Sequence, residues 1–250
     1  MAKQKWIFEP SQRWVRVEFG GEVIADSKNV MLMIESQYEL HYYFPIDDVK
    51  SEFLVESDFS EPSKYKGDSK HWTVKVGDKV AENAVFTYAD DAKNRPDLSN
   101  YVAFAWDKMD HWYEETEEVF LHPRSPYHRV DTLKSSRNIR VELDGVIIAE
   151  TDQPYILFET NTRTRYYIAE EDVNTEYLTP TDHHTICPYK GVASYWSVNV
   201  NGKTYENAIW GYPQPIPETP KIQGHYSFYN KKFDIYIDGE LEAKSRTVSA

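Results

Sequence analysis

The chain is organised by short stretches in which apolar and polar residues alternate. In "VRVEFGGEVIA", which begins at Val15, apolar residues alternate with Arg and Glu, and a Gly-Gly pair separates them from a second apolar run. "IRVELDGVIIA", which begins at Ile139, repeats this order with Asp-Gly between the runs. Alternation with a period of two around such a pair predicts a β-hairpin.

A second hairpin pattern also occurs twice. "HWTVKVGDK" and "YWSVNVNGK" have Gly-Asp or Asn-Gly at the turn, and their alternation predicts an inner face. That face consists of Trp72, Val74 and Val76 in the first stretch and Trp196, Val198 and Val200 in the second. Helical periodicity over more than about ten residues is hard to find. The pattern therefore predicts an all-β, antiparallel protein with little helix.

Both hairpins belong to one long repeat. "RWVRVEFGGEVIADS" at Arg13 and "RNIRVELDGVIIAET" at Arg137 are offset by 124 residues, and the same offset matches Tyr65-Lys66-Gly67 with Tyr189-Lys190-Gly191. This period is too long for a solenoid unit, so it indicates a duplicated domain. We predict an N-terminal arm over 1–12, a first β domain over 13–121, a linker over 122–136 and a second β domain over 137–250.

The predicted linker contains two prolines and follows an acidic run at 114–118, which is typical of an exposed connector. It also holds two histidines and two arginines, which are His122, Arg124, His128 and Arg129. Two interpretations of them stay open: they line a cleft between the domains, or they belong to an ordinary solvated linker.

Composition narrows the choice of partners. The 28 basic and 41 acidic residues give a net charge of −13, which disfavours binding to nucleic acid and to anionic membranes. The single cysteine, the lack of a secretory signal and the lack of an apolar stretch of about 20 residues predict a soluble, cytoplasmic protein. Aromatic residues make up 15% of the chain, as in sheet faces or in the lining of a small-molecule pocket. The oligomeric state is left open.

Five separated blocks carry a resemblance to a known family. "RVELDGVIIAET", the "RYY" pair, "CPYKGVASYWSV", "ENAIWGY" and the connector "HPRSPYHRVD" resemble, in this order, the tandem form of domain of unknown function 427, which also carries a nucleotidyltransferase-like label. The resemblance covers essentially the whole chain and implies a β-tent fold for each copy. Several relatives of that fold hold structural zinc on paired CxxC motifs, which one cysteine cannot provide, so we expect neither zinc nor another metal or cofactor.

The two copies differ at the motif. The second copy has Cys187-Pro188-Tyr189-Lys190-Gly191, whereas the first has Ser63-Lys64-Tyr65-Lys66-Gly67. The first copy also has Phe86 in place of Trp210 and Ser60 in place of His184. We therefore expect the working pocket in the second copy.

Several polar and aromatic residues of the second copy are candidates for the site. As catalytic residues we consider Glu159, Lys190, Tyr167 and His184; as substrate-binding residues we consider Arg140, Tyr166, Tyr189, Cys187, Glu206, Trp210 and Tyr212. A carboxylate on an apolar strand suits acid–base chemistry if its pKa is raised, but an arginine can also hold it. Lys190 either binds an acidic group or forms a salt bridge with Glu159 or Glu206. Cys187 is either a nucleophile or a small buried residue beside a proline turn.

Three functions follow from these candidates. The first is a metal-independent enzyme that acts on a small organic molecule by acid–base chemistry in an aromatic pocket. The second is a small-molecule binding module without catalysis. The third is a nucleotidyltransferase-like activity, which would require a phosphate-binding glycine loop that the sequence, with 10 glycines and no GxGxxG element, does not contain.

Overall fold

The computed structural model describes residues 6–35, 40–63, 66–88 and 96–243. The chain divides into unit 1, Met1–Ser125, and unit 2, Pro126–Ala250. In the described ranges antiparallel strands are joined by turns and short 3-10 helices, and no α-helix occurs there. No helix in those ranges is long and apolar enough to cross a membrane. The predicted all-β, duplicated architecture is confirmed.

Unit 1 contains twelve strands in its described part. They are β1 Ile7–Pro10, β2 Val15–Phe19, β3 Glu22–Ser27, β4 Met31–Ile34, β5 Leu40–Pro45, β6 Leu54–Ser57, β7 Pro62–Ser63, β8 Gly67–Val76, β9 Lys79–Tyr88, β10 Tyr101–Phe104, β11 His111–Glu114 and β12 Glu117–Glu118. Its 3-10 helices are Ile46–Asp48, Ser51–Phe53 and Trp106–Lys108.

Unit 2 contains eleven strands in its described part. They are β13 Val130–Lys134, β14 Ile139–Leu143, β15 Val146–Thr151, β16 Tyr155–Glu159, β17 Arg165–Ala169, β18 Leu178–Cys187, β19 Gly191–Val200, β20 Lys203–Gly211, β21 His225–Phe228, β22 Asp234–Ile237 and β23 Glu240–Leu241. Its 3-10 helices are Glu170–Asp172, Thr175–Tyr177 and Pro220–Ile222.

Each unit has a large and a small sheet, and the strand order is the same in both. The large sheet runs β1-β4-β5-β10-β9-β8-β6 in unit 1, with β7 also paired to β8, and β13-β16-β17-β21-β20-β19-β18 in unit 2. The small sheet runs β12-β11-β2-β3 in unit 1 and β23-β22-β14-β15 in unit 2. The duplication seen in the sequence is therefore a duplication of topology.

The repeat extends beyond the boundaries suggested by composition. β1 lies in the segment assigned to an arm and pairs with β4, and β13 lies in the segment assigned to a linker and pairs with β16. At the other end the offset changes by one residue, because His111 pairs with Glu18 while Asp234 pairs with Glu142. β22 is thus offset from β11 by 123 residues rather than 124.

Both predicted hairpins are present. Phe19 pairs with Glu22 and Leu143 with Val146, so two residues form each turn of the first hairpin. All four turn residues have left-handed backbone angles, with φ of 63° and 81° in unit 1 and of 47° and 80° in unit 2. This geometry matches the twist of the flanking strands and explains the Gly-Gly and Asp-Gly pairs.

The main core of each unit lies between its two sheets. The alternating residues of β2 and β14 face this core, and Val15, Val17, Ile139 and Val141 are fully buried. From the large sheets, Trp72 and Trp196 pack against the same cores while remaining partly exposed. A second apolar cluster lies outside each main core.

Candidate functional site

In unit 1 this second cluster surrounds a small cavity. The cavity is lined by Trp6, Met33, Glu35, Tyr43, Lys66, Tyr88 and Leu98, which we call the first cup. Its volume of about 10 Å³ is on the order of one water molecule. A charged pair, Lys66 and Glu35, thus lies among apolar and aromatic walls.

Every residue of the first cup has a counterpart in unit 2 at the offset of 124. The counterparts are Val130, Leu157, Glu159, Tyr167, Lys190, Tyr212 and Ile222, which we call the second cup. The apolar and aromatic residues of the second cup belong to the second apolar cluster of unit 2, which we call the outer cluster and which also contains Tyr195 and Trp210. The same constellation is therefore built twice.

The lysine of the second cup is positioned by a tight turn. Cys187 pairs with Gly191 at the end of the β18–β19 hairpin, and the Lys190 N–H donates to the Cys187 carbonyl oxygen at 3.3 Å. The Lys190 carbonyl oxygen accepts a hydrogen bond from the Ile216 N–H at 3.1 Å. Gly191 has a φ of 103°, and a Cβ there would lie 3.1 Å from the Gln214 carbonyl oxygen. The motif is thus a turn whose backbone is held from both sides.

A buried ion pair lies at the centre of the second cup. Lys190 Nζ is 2.6 Å from Glu159 Oε1, and the two side chains are 10% and 11% exposed. His128 Nε2 is 3.0 Å from the same oxygen, and the His128 ring stacks on Tyr189 with centroids 4.0 Å apart. Of the two salt bridges considered for Lys190, the structure contains the one to Glu159.

The first cup repeats the ion pair. Lys66 Nζ is 2.6 Å from Glu35 Oε2 and lies 5.2 Å from the centre of the Tyr88 ring. Burial lowers the pKa of Lys66, but Glu35 and Tyr88 outweigh burial and hold that pKa above its ordinary value. Lys64 and Tyr65 lie outside the described residues.

The electrostatics define the protonation state of the second cup. Burial pushes the pKa of Glu159 upward, but Lys190 and His128 outweigh it, so that pKa lies below its ordinary value. Burial raises the pKa of Tyr167 and of Tyr212 well above that of a free phenol. At neutral pH the cup therefore presents an ionised carboxylate and two neutral hydroxyl groups, whereas a carboxylic acid catalyst needs a raised pKa.

The other aromatic candidates lie around the cup. Trp210 packs in the outer cluster, with the Arg165 guanidinium 5.1 Å from its ring centre. Cys187 is half-buried and packs against the same cluster. Tyr189 stacks on His128, which contacts the ion pair. The structure thus brings Trp210, Cys187 and Tyr189 together with Glu159 and Lys190.

Four candidates lie elsewhere. Tyr166 faces the main core and donates to Glu242 Oε1 at 3.1 Å. Arg140 is on the small sheet, paired with Glu142 at 2.9 Å. Glu206 is exposed on β20, and His184 lies on the edge strand β18 with its Nδ1 3.2 Å from the Ala193 carbonyl oxygen. The structure does not place these four around the ion pair.

His128, which contacts the second cup, was not assigned to the site from the sequence, and neither were the cup residues Val130, Leu157 and Ile222. His128 belonged to the four linker residues, and it contacts Glu159 because β13, which follows it, pairs with β16. The other three have different surroundings: His122 Nδ1 lies 2.8 Å from the Pro123 carbonyl oxygen, and Arg129 forms an exposed ion pair with Asp131. Arg124 does not belong to the second cup. Only the pairing of β13 with β16, which local patterns do not reveal, identifies His128.

No group of three or more His, Cys, Asp or Glu side chains in the described ranges is arranged to hold a metal ion. The site is thus formed by a lysine, a carboxylate, a histidine and buried tyrosines on the outer face of a large β-sheet. The two units define a class of tandem all-β proteins with one such cup per unit.

Comparison with known families places the chain within this class. The model of the family described as domain of unknown function (DUF427) matches residues 7–115 and 131–239. The chain belongs to this family, and the two matches coincide with the two units. No curated protein matches the chain.

Proposed function

We propose that the second cup binds the oxygen acceptor, such as a carbonyl or a carboxylate, of a small, largely aromatic organic molecule. The observation that carries this proposal is the ion pair beside two tyrosines, built at matching positions in both units. The Lys190 ammonium has three N–H donors, of which Glu159 takes one. Apolar walls with a few convergent polar groups are characteristic of small-molecule sites.

The buried ion pair itself favours a role in binding. Such a pair costs desolvation energy, and well-packed apolar residues of similar volume often stabilise a fold at least as well. The stability of the fold alone therefore does not explain the pair. The net charge of −13 supports small molecules, rather than nucleic acid or membranes, as partners.

The binding proposal is tested by a thermal-shift screen with aromatic carboxylates, amides and aldehydes. A ligand that binds only the folded protein raises the melting temperature. We expect Lys190→Ala to abolish this shift and the matched variant Lys66→Ala to reduce it less, because the first copy lacks the Cys-Pro turn. Equal losses would mean two equivalent cups, and an unchanged shift in both variants would contradict the proposal.

A second candidate function is acid–base catalysis in the second cup, as in a metal-independent enzyme. His128 favours it, because an imidazole held by a carboxylate is suited to proton transfer near neutral pH. The test follows hydrogen–deuterium exchange next to the carbonyl group of phenylacetone by NMR. We expect His128→Gln to remove the protein-dependent exchange and the control His122→Gln to retain it; exchange that persists in His128→Gln would refute this role.

We also propose a fold type and a cellular location for the protein. The two sheets that cover one core in each unit support a β-tent assignment. The single cysteine, Cys187, is free and supports a reducing, cytoplasmic location.

A further inference from the structure

A separate groove lies on the outer half of the large sheet in unit 2. Eight side chains of β18, β19 and β20 line it: Thr179, Thr181, His183, Ser197, Asn199, Thr204, Glu206 and Asn207. Its volume is about 370 Å³, within the range of small-molecule sites. The lining contains hydroxyl, amide, imidazole and carboxylate groups and no lysine or arginine.

Irregularities in strand pairing accompany the groove. The β18–β19 register shifts between Pro180 and His184, and the β19–β20 register shifts between Trp196 and Val198. Asn207 has a left-handed φ of 47° opposite the second shift. Such bulges bend strands and redirect side chains, and here they accompany a concave surface on a sheet face.

Hydrogen bonds between the lining side chains hold the groove in shape. Asn199 Nδ2 donates to Thr179 Oγ1 at 3.0 Å, and Thr204 Oγ1 donates to Asn199 Oδ1 at 2.7 Å. Thr181 Oγ1 donates to Asn207 Oδ1 at 2.7 Å. The oxygens of both amides and one N–H of Asn199 are thus engaged, which leaves the second N–H of Asn199 and the Asn207 Nδ2 group as donors. A surface preorganised in this way loses less entropy when a ligand binds.

We infer that this groove binds a neutral saccharide. Sugar hydroxyl groups both donate and accept, as the threonine and asparagine side chains of the lining require. The exposed Glu206 carboxylate is an acceptor for two neighbouring sugar hydroxyls, and it disfavours anionic ligands in a chain of net charge −13. The His183 ring, packed 4.6 Å from the ring of Tyr195, offers an apolar face for the sugar ring.

Unit 1 provides an internal control for this inference. The positions that correspond to Thr179, His183 and Thr204 hold Val55, Phe59 and Val80, which are 45%, 41% and 48% exposed. Lys75 takes the place of Asn199. The scaffold is the same, but these side chains do not offer the amide and hydroxyl groups of unit 2. The saccharide site is therefore specific to unit 2.

An NMR titration of the full chain with glucose, galactose, mannose, N-acetylglucosamine and their disaccharides tests the inference. We expect shifts of the backbone amides of Thr179, Thr181, Asn199 and Asn207 with at least one sugar. Glu206→Gln should weaken that binding about tenfold, the effect of losing one charged hydrogen bond. The matched variant Glu82→Gln in unit 1 should leave it unchanged.

Three outcomes would overturn the inference. The first is the absence of shifts in the groove with every sugar of the panel. The second is binding that Glu206→Gln and Asn199→Ala leave unaltered, and the third is a response to glycerol equal to that with the sugars. Lys190→Ala distinguishes sugar binding in the groove from ligand binding in the second cup, because Lys190 does not line the groove and sugar binding should persist in this variant. Glycerol serves as the control for unspecific contact with hydroxyl groups.

Discussion

At the scale of single residues, Lys190 and Glu159 define the chemistry of the second cup. Their mutual contact keeps the carboxylate ionised and directs the ammonium group. The ionised Glu159 carboxylate has no proton to donate as an acid. Within the proposed acid–base function, we therefore assign proton transfer to His128, whose Nε2 lies 3.0 Å from Glu159 Oε1.

Removal of Lys190 should destabilise the fold, because Glu159 then stays buried without its main counter-charge. We expect Lys190→Ala to lower the free energy of unfolding by about 3 kcal/mol. The double variant Lys190→Met/Glu159→Leu should recover most of this loss. Urea denaturation measures both.

The control for that experiment is an exposed pair in the same unit. Lys203, which is 67% exposed, pairs with Asp144, and Lys203→Ala should cost less than about 1 kcal/mol. Equal losses in Lys190→Ala and Lys203→Ala would mean that the buried pair contributes nothing beyond a surface contact.

The lowered pKa of Glu159 also predicts a pH dependence. Its folded-state pKa lies below the ordinary value of 4.5, so the ionised carboxylate stabilises the fold above about that pH. This stabilisation is lost as the pH falls through the lowered folded-state pKa. Unfolding experiments from neutral to acidic pH should show a smaller loss of stability in Glu159→Gln than in the parent chain, and parallel curves would contradict the prediction.

At the scale of elements, the β18–β19 turn depends on Gly191. Ala at this position meets both a left-handed backbone and the Gln214 carbonyl oxygen. Gly202 has a φ of 74° but no atom within 4 Å of an added Cβ, so it shares the strain without the contact. We expect Gly191→Ala to destabilise the fold by about 2 kcal/mol and Gly202→Ala by about 1 kcal/mol, as measured by thermal unfolding. A larger loss of stability in Gly202→Ala would show that the backbone moves to relieve the contact between the added Cβ at position 191 and the Gln214 carbonyl oxygen.

The elements differ in how far local sequence predicts them. Both hairpins follow from alternation and turn pairs, because their pairing is local. β1 and β13 were not predicted, since each is an edge strand that joins its sheet only through a distant partner. The contact between Lys190 and Glu159 is also distant in sequence, because they lie 31 residues apart. The sequence suggested a salt bridge of Lys190 with either Glu159 or Glu206 and did not distinguish between the two.

At the scale of the whole molecule, each unit has a complete pair of sheets and its own core. We therefore expect residues 1–125 and 126–250 to fold when they are produced separately. Dispersed amide spectra and cooperative unfolding of each fragment would confirm independent folding. A fragment that stays unfolded alone but folds when the other is added would show that the units need each other.

The small sheets have a consequence for how the protein is made. Val15 pairs with Glu114 and Ile139 with Ile237, so each small sheet joins the beginning and the end of its unit. Pairing over so long a stretch of chain is slow, and neither unit completes its fold until its last strands have left the ribosome. While β2 waits for β11, the similar strands of the second copy have not yet left the ribosome. Vectorial synthesis thus protects the chain from exchanging strands between its copies, and refolding from denaturant, where all strands compete at once, should yield more misassembled protein than synthesis does.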